Sequence, residues 1–112
     1  MITLISYGTK NGRLTPKPDY RFECHKLLNP FHRPELKPLT GKDAAVQEYV
    51  GRSALAELLV ANAVKVVCED QRPLTIAFEC VGGHHRSVAM VEMTAAKLTE
   101  LGISNRIQHR DI

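Results

Sequence analysis

The chain has 112 residues, of which 44% are hydrophobic and 24% charged, with a formal net charge of +3 at pH 7. This composition is typical of one globular domain, and no apolar run approaches the ~20 residues that cross a bilayer, so a disordered or membrane-spanning chain is excluded. Basic residues are scattered, and three cysteines without paired spacing predict reduced thiols, so we expect a cytoplasmic protein with a single domain over residues 1–112 and no membrane partner.

Two strands and a long irregular loop are predicted in the first part of the chain. The apolar, β-branched run at residues 2–7 ends at a glycine and predicts a strand. Residues 20–27 alternate well enough for a second strand, with Phe22 and Cys24 on one face. Between Asn29 and Gly41, three prolines within nine residues exclude a regular helix. A loop of this length in a small domain is typical of a functional segment.

The remainder of the chain alternates helices with strands. Helical spacing predicts helices over residues 44–50 and 55–68 with a break near Gly51, then a strand at 74–80, a helix at 86–101 that Gly102 ends, and a last strand at 103–109. The buried stripe of the second helix is expected to consist of Leu55, Leu58, Leu59, Ala63 and Val66. The order β-β-α-α-β-α-β predicts an α/β fold, a three-layer-like sandwich around a small, partly parallel four-stranded sheet.

The segment between the third strand and the third helix, Glu79-Cys-Val-Gly-Gly-His-His-Arg-Ser87, contains the groups that favour a binding site. Two glycines let the backbone turn sharply, so that successive N–H groups face one centre, and the start of the helix adds unpaired N–H donors and a positive dipole end. Arg86 adds a planar guanidinium and Ser87 a hydroxyl. Together they predict an anion site, for phosphate above all. The alternative is a tight strand–helix turn whose glycines serve packing alone.

Cys80 opens a second interpretation of the same loop. The spacing Cys80-x5-Arg86-Ser87 matches the loop of tyrosine-phosphatase-like enzymes, in which a thiolate attacks phosphorus. Such an enzyme also needs an acid for the leaving group, and Asp19, Asp43 and Asp111 stay open for that role. The alternative for Cys80 is a small apolar residue at the end of a strand.

Four segments of the chain resemble one family. Residues 79–88 resemble the Gly-Cys-Thr-Gly-Gly-x-His-Arg-Ser-Val loop in the C-terminal domain of the RapZ family. Further similar segments are Ser6-Tyr-Gly8 (the family's Ser-Phe-Gly), Asn29-Pro30 with Pro34-Glu-Leu-Lys-Pro-Leu-Thr-Gly41, and His109-Arg-Asp111. The resemblance implies an α/β sensor domain for the amino-sugar phosphate glucosamine 6-phosphate. In full-length bacterial members such a domain follows an N-terminal P-loop nucleotide-binding domain and acts as an adaptor for RNA binding and ribonuclease-directed decay of small RNAs.

The resemblance also assigns ligand residues. It implies Gly82, Gly83, His85 and Arg86 in the phosphate loop, with Asn29 and the proline-rich loop as the facing wall. With the other polar groups of these segments, the expected ligand-binding set is Val81, Gly82, Gly83, His84, His85, Arg86, Ser87, Asn29, His32 and His109. Cys80 would be catalytic only in a phosphatase.

The chain departs from the family pattern at four places. With these changes we still expect phosphate binding, but the identity of the sugar stays open. Val81 replaces Thr, Glu79 replaces Gly, Phe31-His32 replaces His-Trp, and Glu23-Cys-His25 replaces Asp-x-Arg. The departure at residue 79 brings a negative charge near a site meant for an anion.

The expected function is a binding domain for a phosphorylated small molecule, with a sugar phosphate first, and the Cys-dependent phosphatase as the alternative. An adaptor role toward RNA or a ribonuclease and self-association stay open. Adjacent histidines rarely ligate one ion, so we expect no metal, and no cofactor either. The sequence contains no Walker-A motif, so we expect no P-loop hydrolysis of ATP by these residues.

Overall fold

The computed structural model describes residues 1–70 and 72–112, and within them four strands and three α-helices form one α/β layer structure. The strands are β1 (Ile2–Gly8), β2 (Tyr20–Glu23), β3 (Thr75–Cys80) and β4 (Asn105–His109). The helices are α1 (Ala44–Gly51), α2 (Ala54–Glu69) and α3 (Arg86–Glu100). The predicted α/β class and the order β-β-α-α-β-α-β are confirmed.

The sheet has the strand order β2-β3-β1-β4, and each neighbouring pair is parallel. It is therefore parallel throughout, where the sequence predicted a partly parallel sheet. β1 and β3 occupy the two central positions and are largely buried, which explains why their sequences are nearly continuous apolar runs. Because all strands point the same way, the segments that follow them meet at one edge of the sheet.

The two faces of the sheet are covered differently. Leu4, Ile76 and Phe78 point to the face on which α3 packs, and they form the core together with α1 and α2, which pack against α3. Ile5 and Tyr7 point to the opposite face, where the loop between β1 and β2 lies against the sheet. The three-layer-like arrangement thus consists of helices, sheet and a loop.

The buried stripe of α2 differs from the predicted one. The buried residues of this helix are Ala56, Leu59, Ala63 and Val67. Their spacing of three, four and four residues defines one helical face, and Leu58 lies beside that face, where it is 59% exposed. The prediction of Leu58 as a core residue is wrong, whereas Leu55 and Val66 flank the stripe and are partly buried.

Two element ends are set by local hydrogen bonds. Gly102 has a φ of +77°, and its N–H donates to Thr99 O at 3.0 Å, so it ends α3 as predicted. β2 ends earlier than predicted because the chain turns after Cys24, whose carbonyl accepts from Leu27 N–H at 3.3 Å. Phe22 and Cys24 share the core face as predicted, and Phe22 stacks on Phe78 with ring centroids 5.4 Å apart.

Candidate functional site

The four segments that resemble the RapZ family converge at the carboxyl edge of the sheet. β1 ends at Gly8, β3 at Cys80 and β4 at His109, and the proline-rich loop follows the end of β2. The connection after β1 runs to β2, whereas the connection after β3 runs through α3 to β4 on the other side. In parallel sheets, ligands bind in the crevice where neighbouring connections diverge in this way.

The loop after β3 folds back on its own cysteine. Cys80 Sγ accepts from the N–H of Gly83 at 3.3 Å and lies 3.2 Å from the hydroxyl of Ser87. Within the described residues, no acceptor is found for the N–H groups of residues 84–87, which lead into the first turn of α3. Unpaired amides at the start of a helix are the donors that bind anions.

Gly83 allows this loop to rest directly on the end of β1. Its φ is +75°, and an added Cβ would lie 2.5 Å from Gly8 N and 2.9 Å from Asp111 Oδ2. A Cβ on Gly8 would in turn clash with the backbone of Gly82. The two backbones touch because neither residue carries a side chain, so the glycines of two separate motifs form one contact.

The His-Arg-Asp segment supports that contact from below. Asp111 Oδ2 accepts from Gly8 N–H at 2.6 Å, and Arg110 Nη2 donates to Gly8 O at 3.0 Å. Burial alone would raise the pKa of Asp111, but the bonds from the Gly8 amide and from Arg110 outweigh it and hold this pKa below its usual value. These residues therefore fix the end of β1 on which the loop after β3 rests.

The proline-rich loop forms a wall on the other side of the phosphate loop. Gly41 N–H donates to His84 O at 2.9 Å, and His85 Nε2 lies 3.0 Å from Lys37 O. A Cβ on Gly41 would clash with the backbone at the start of α3, so this glycine permits the close approach. Asn29 Oδ1 accepts from Phe31 N–H at 3.1 Å and stabilises a 3-10 turn at the rim.

A cavity of about 330 Å³ lies between these segments. Its lining residues are Lys10, Asn29, Phe31, Cys80, Val81, Gly82, Gly83, His84, His85 and Arg86. Two of them are permanent cations, two are histidines, and none is a carboxylate. The cavity is therefore electropositive and suits an anion.

Arg86 lies at the base of this cavity and is held without an acidic partner. Its side chain is nearly buried, and Nη1 donates to the carbonyl of His25 at 2.8 Å. No ion pair of Arg86 is present within residues 1–70 and 72–112. Since one guanidinium has five N–H donors, most of them stay available to a ligand.

The structure brings most of the predicted site residues together, and three lie elsewhere. Eight line the cavity, namely Asn29 and every residue from 80 to 86. Ser87 is buried behind Cys80. His32 is exposed and packs edge-on against Phe31, which takes the rim position instead.

His109 is not brought to the cavity. Its Nδ1 lies 2.7 Å from Ser6 Oγ, and its Nε2 lies 3.0 Å from Glu92 Oε2 on α3. The imidazole thus links β1, β4 and α3 on the helix side of the sheet. Ser6 is fully buried, so this Ser–His–Glu chain offers no accessible nucleophile.

Lys10 and Phe31 line the cavity but were not predicted from the sequence. Lys10 is the second residue after β1, and its backbone N–H donates to Val81 O at 3.2 Å. The signal for Lys10 was its place just after a strand, since residues that follow adjacent parallel strands meet at one edge. Using it requires knowing that β1 and β3 are neighbours.

Cys24 is fully buried and does not line the cavity, so nothing in its environment supports a role in ligand binding. Burial raises the pKa of its thiol well above the usual value, and the neighbouring Cys80 raises it further. Cys24 is therefore a neutral packing residue at physiological pH.

Within the described part of the chain, no cluster of three His, Cys, Asp or Glu residues could hold a metal ion. None of the described helices combines the length and the hydrophobicity that a membrane span requires.

The family model of the RapZ C-terminal domain matches residues 1–112. This chain belongs to that family. A nucleotide-binding protein of Nocardioides sp. (strain ATCC BAA-499 / JS614) is 42% identical over 99% of the chain, and one of Limosilactobacillus reuteri (strain DSM 20016) is 40% identical over 99%. A third, from Acidobacterium capsulatum, is 37% identical over 100% of it. The chain spans 39–41% of the length of these relatives.

One departure from the RapZ family pattern does not disturb the cavity. Glu79, where the family has glycine, points to the opposite face of the sheet, because neighbouring residues of a strand alternate between faces. Its Oε2 accepts from Tyr7 O–H at 2.6 Å, and Glu79 does not line the cavity. The negative charge that the sequence placed beside the anion site therefore lies on the other face of the sheet.

Proposed function

We propose that this domain binds a phosphorylated small molecule in the loop at residues 80–86 and acts as a regulatory sensor. A phosphorylated sugar, an amino-sugar phosphate first, is the proposed ligand, and the adaptor role in RNA regulation that the RapZ resemblance implies is the proposed output. The observation that carries the proposal is the row of unpaired backbone N–H groups at residues 84–87 beside Arg86, in a cavity that no carboxylate lines.

The groups around the cavity suit the two parts of such a ligand. The unpaired amides of the loop and of the start of α3 are donors for phosphate oxygens, and Arg86 adds charge-assisted hydrogen bonds. Asn29 and Phe31 at the rim supply an amide for hydroxyl groups and an aromatic surface for a sugar ring. The volume of about 330 Å³ falls within the usual range of small-molecule sites.

Calorimetric titration of Arg86→Met tests this proposal. We expect the wild-type chain to bind glucosamine 6-phosphate and not glucosamine, and Arg86→Met to bind the phosphate about 10- to 100-fold more weakly, because a hydrogen bond to a charged group contributes ~1.5–3 kcal/mol. Lys65→Met, at an exposed position of α2, is the matched control and should bind as the wild type does.

The same titration identifies the ligand class. Glucose 6-phosphate, AMP and inorganic phosphate are compared under the same conditions, since the curated relatives are named nucleotide-binding proteins. Equal affinity of the wild type and of a folded Arg86→Met for every phosphate would contradict the proposal. Circular dichroism of each variant establishes that it is folded.

A Cys-dependent phosphatase is the second candidate, because Cys80 Sγ lines the cavity and accepts from the Gly83 amide. None of the aspartates that could act as its acid lines the cavity: Asp19 accepts from Thr75 N–H, Asp43 from Thr40 N–H and Asp111 from Gly8 N–H. The sensor is therefore the better-supported function.

We expect the wild-type chain not to hydrolyse p-nitrophenyl phosphate. The check is a steady-state assay over pH 5–8 with wild type and Cys80→Ser in parallel. Turnover that disappears in Cys80→Ser would replace the sensor proposal with the phosphatase, because only a thiolate nucleophile requires that sulfur.

A further inference from the structure

A second cavity, of about 620 Å³, lies on the face of the sheet opposite the helices. Tyr7 of β1 and Glu79 of β3 are directly opposite each other in the parallel register and form its floor. Its walls come from the β1–β2 loop and from β2: Thr9, Gly12, Arg13, Leu14, Thr15, Lys17, Pro18 and Arg21. Because Glu79 and Cys80 point to opposite faces, this cavity is separate from the phosphate loop.

The walls of this cavity carry an excess of positive charge. Arg13, Lys17 and Arg21 line it together with the single carboxylate of Glu79. Neither Arg13 nor Lys17 forms an ion pair with a residue that the structure describes. Arg21 Nε lies 3.9 Å from Glu79 Oε1, longer than a hydrogen bond. Arg13 and Lys17 therefore remain available to an anionic ligand, and Arg21 is shared with Glu79.

The floor offers one free acceptor. Glu79 is almost buried, and its Oε2 accepts from Tyr7 O–H at 2.6 Å. Burial raises the pKa of Tyr7 to about 12, with a further contribution from the bond to Glu79, so the phenol remains a donor at neutral pH. Among the described residues, Glu79 Oε1 has only the longer contacts, to Arg21 Nε at 3.9 Å and His25 Nε2 at 4.0 Å. A buried carboxylate oxygen of this kind favours a ligand that donates a hydrogen bond.

The loop that forms the wall is held in place by Arg110, which directly follows β4. Arg110 Nη1 donates to the carbonyls of Gly12 and Arg13 at 3.0 Å each. Pro16 and Pro18 further restrict this loop, since proline fixes its own φ. The cavity is therefore formed before any ligand binds, which reduces the entropy cost of binding.

We propose that this second cavity binds a small organic anion that also carries a hydroxyl or amino group. The phosphate or carboxylate of the ligand pairs with Arg13, Lys17 and Arg21, and its hydroxyl or amino group donates to Glu79 Oε1. An anion without such a donor is repelled by the Glu79 carboxylate, and no hydrogen bond compensates for that repulsion. The site thus selects against simple anions and does not depend on what the phosphate loop binds.

Two matched probes test the selection. Glycerol 3-phosphate carries donors beside its phosphate, whereas methyl phosphate has the same charged group and no hydroxyl. In ¹⁵N-resolved NMR titrations of the whole chain at pH 8, we expect glycerol 3-phosphate to shift the amides of residues 12–15 and 21. We expect it to bind there about tenfold more tightly than methyl phosphate, as one hydrogen bond to a charged group accounts for a factor of this size.

Variants assign the effect to the cavity. Lys17→Gln should weaken both probes, and Lys65→Gln, which removes an equal charge from exposed α2, should weaken neither. Glu79→Gln should weaken glycerol 3-phosphate and strengthen methyl phosphate. Titration of the Arg86→Met variant with glycerol 3-phosphate separates this site from the phosphate loop. Because Arg86 does not line the second cavity, the shifts at residues 12–15 should remain in this variant.

Two results would overturn the proposal. One is the absence of shifts at residues 12–21 in the wild-type chain, or shifts confined to residues 82–87. The other is equal affinity of the two probes in the wild type, a comparison that holds whether or not Glu79→Gln folds.

Discussion

Replacing Gly83 with alanine is expected to lower the free energy of unfolding by about 3 kcal/mol and to abolish phosphate binding. The residue has a φ of +75°, and its added Cβ would lie 2.5 Å from Gly8 N and 2.9 Å from Asp111 Oδ2. Both neighbours belong to the support of the loop, so neither can move away without displacing the end of β1. Relief of the clash therefore requires the loop to lift, which separates its amides from Arg86.

Gly82→Ala is the matched control for this substitution. A Cβ at Gly82 would meet no protein atom within 4 Å, so we expect a change in stability of at most about 0.5 kcal/mol and a smaller loss of binding than in Gly83→Ala. Urea unfolding followed by circular dichroism, with calorimetry for the ligand, measures both quantities. Equal effects of the two substitutions would show that the contact between Gly83 and Gly8 does not hold the loop.

Replacing Asp111 with asparagine is expected to lower the free energy of unfolding by about 1.5–3 kcal/mol at pH 7. Asp111 Oδ2 accepts from Gly8 N–H at 2.6 Å and from Arg110 Nη2 at 3.1 Å. An asparagine keeps one oxygen acceptor, but its NH₂ group is a donor and cannot accept a hydrogen bond from the guanidinium of Arg110. Since Gly8 supports the phosphate loop, we also expect weaker ligand binding.

The effect of Asp111→Asn should depend on pH in one direction. The folded-state pKa of Asp111 lies below its usual value, so its stabilisation is present above the unfolded pKa of about 3.9 and is lost as pH falls through the folded pKa. The difference between wild type and variant should therefore shrink below about pH 4. Urea unfolding between pH 7 and pH 3 checks this.

Asp19→Asn provides the control for the pH series. Asp19 also accepts from a backbone amide, that of Thr75 at 2.8 Å, but it is exposed to solvent. We expect it to cost less than about 1 kcal/mol, because solvent replaces the lost interaction. A loss at pH 7 for Asp111→Asn no larger than for Asp19→Asn, or one that persists unchanged at pH 3, would contradict the anchoring role.

Local patterns predicted the helices and strands correctly, because these elements depend on neighbouring residues. The alternation of the strands, the period of α3 and Gly102 as its end are examples. The segment from Cys80 to Arg86 could be proposed as an anion site for the same reason, since a glycine pair before a helix start is a feature of one stretch of chain, and the structure places this segment in the lining of a cavity.

The failures concern long-range contacts that local patterns do not encode. The sequence did not show that β1 pairs with β3, and so Lys10 was missed. It placed His109 at the ligand, whereas the imidazole lies between Ser6 and Glu92 on the helix side of the sheet. The choice of face for each strand residue depends on the tertiary fold.

The family motifs contain two kinds of residue: some line the cavity, and others fix the backbone segments that surround it. Residues 80–86 and Asn29 line it, whereas Gly8, Gly41 and Asp111 fix the backbones around it. Substitutions of Gly8, Gly41 or Asp111, and of Gly83, which rests on Gly8, should weaken binding together with stability, whereas Arg86→Met should weaken binding alone. This separation gives each motif a distinct physical role.

A crystal structure of the chain grown with glucosamine 6-phosphate would show where the ligand binds. We expect a phosphate whose oxygens lie within hydrogen-bond distance of backbone amides of residues 84–87 and of the Arg86 guanidinium, with the sugar toward Asn29 and Phe31. A fully occupied ligand bound elsewhere, with these amides facing protein acceptors or bulk water, would contradict it.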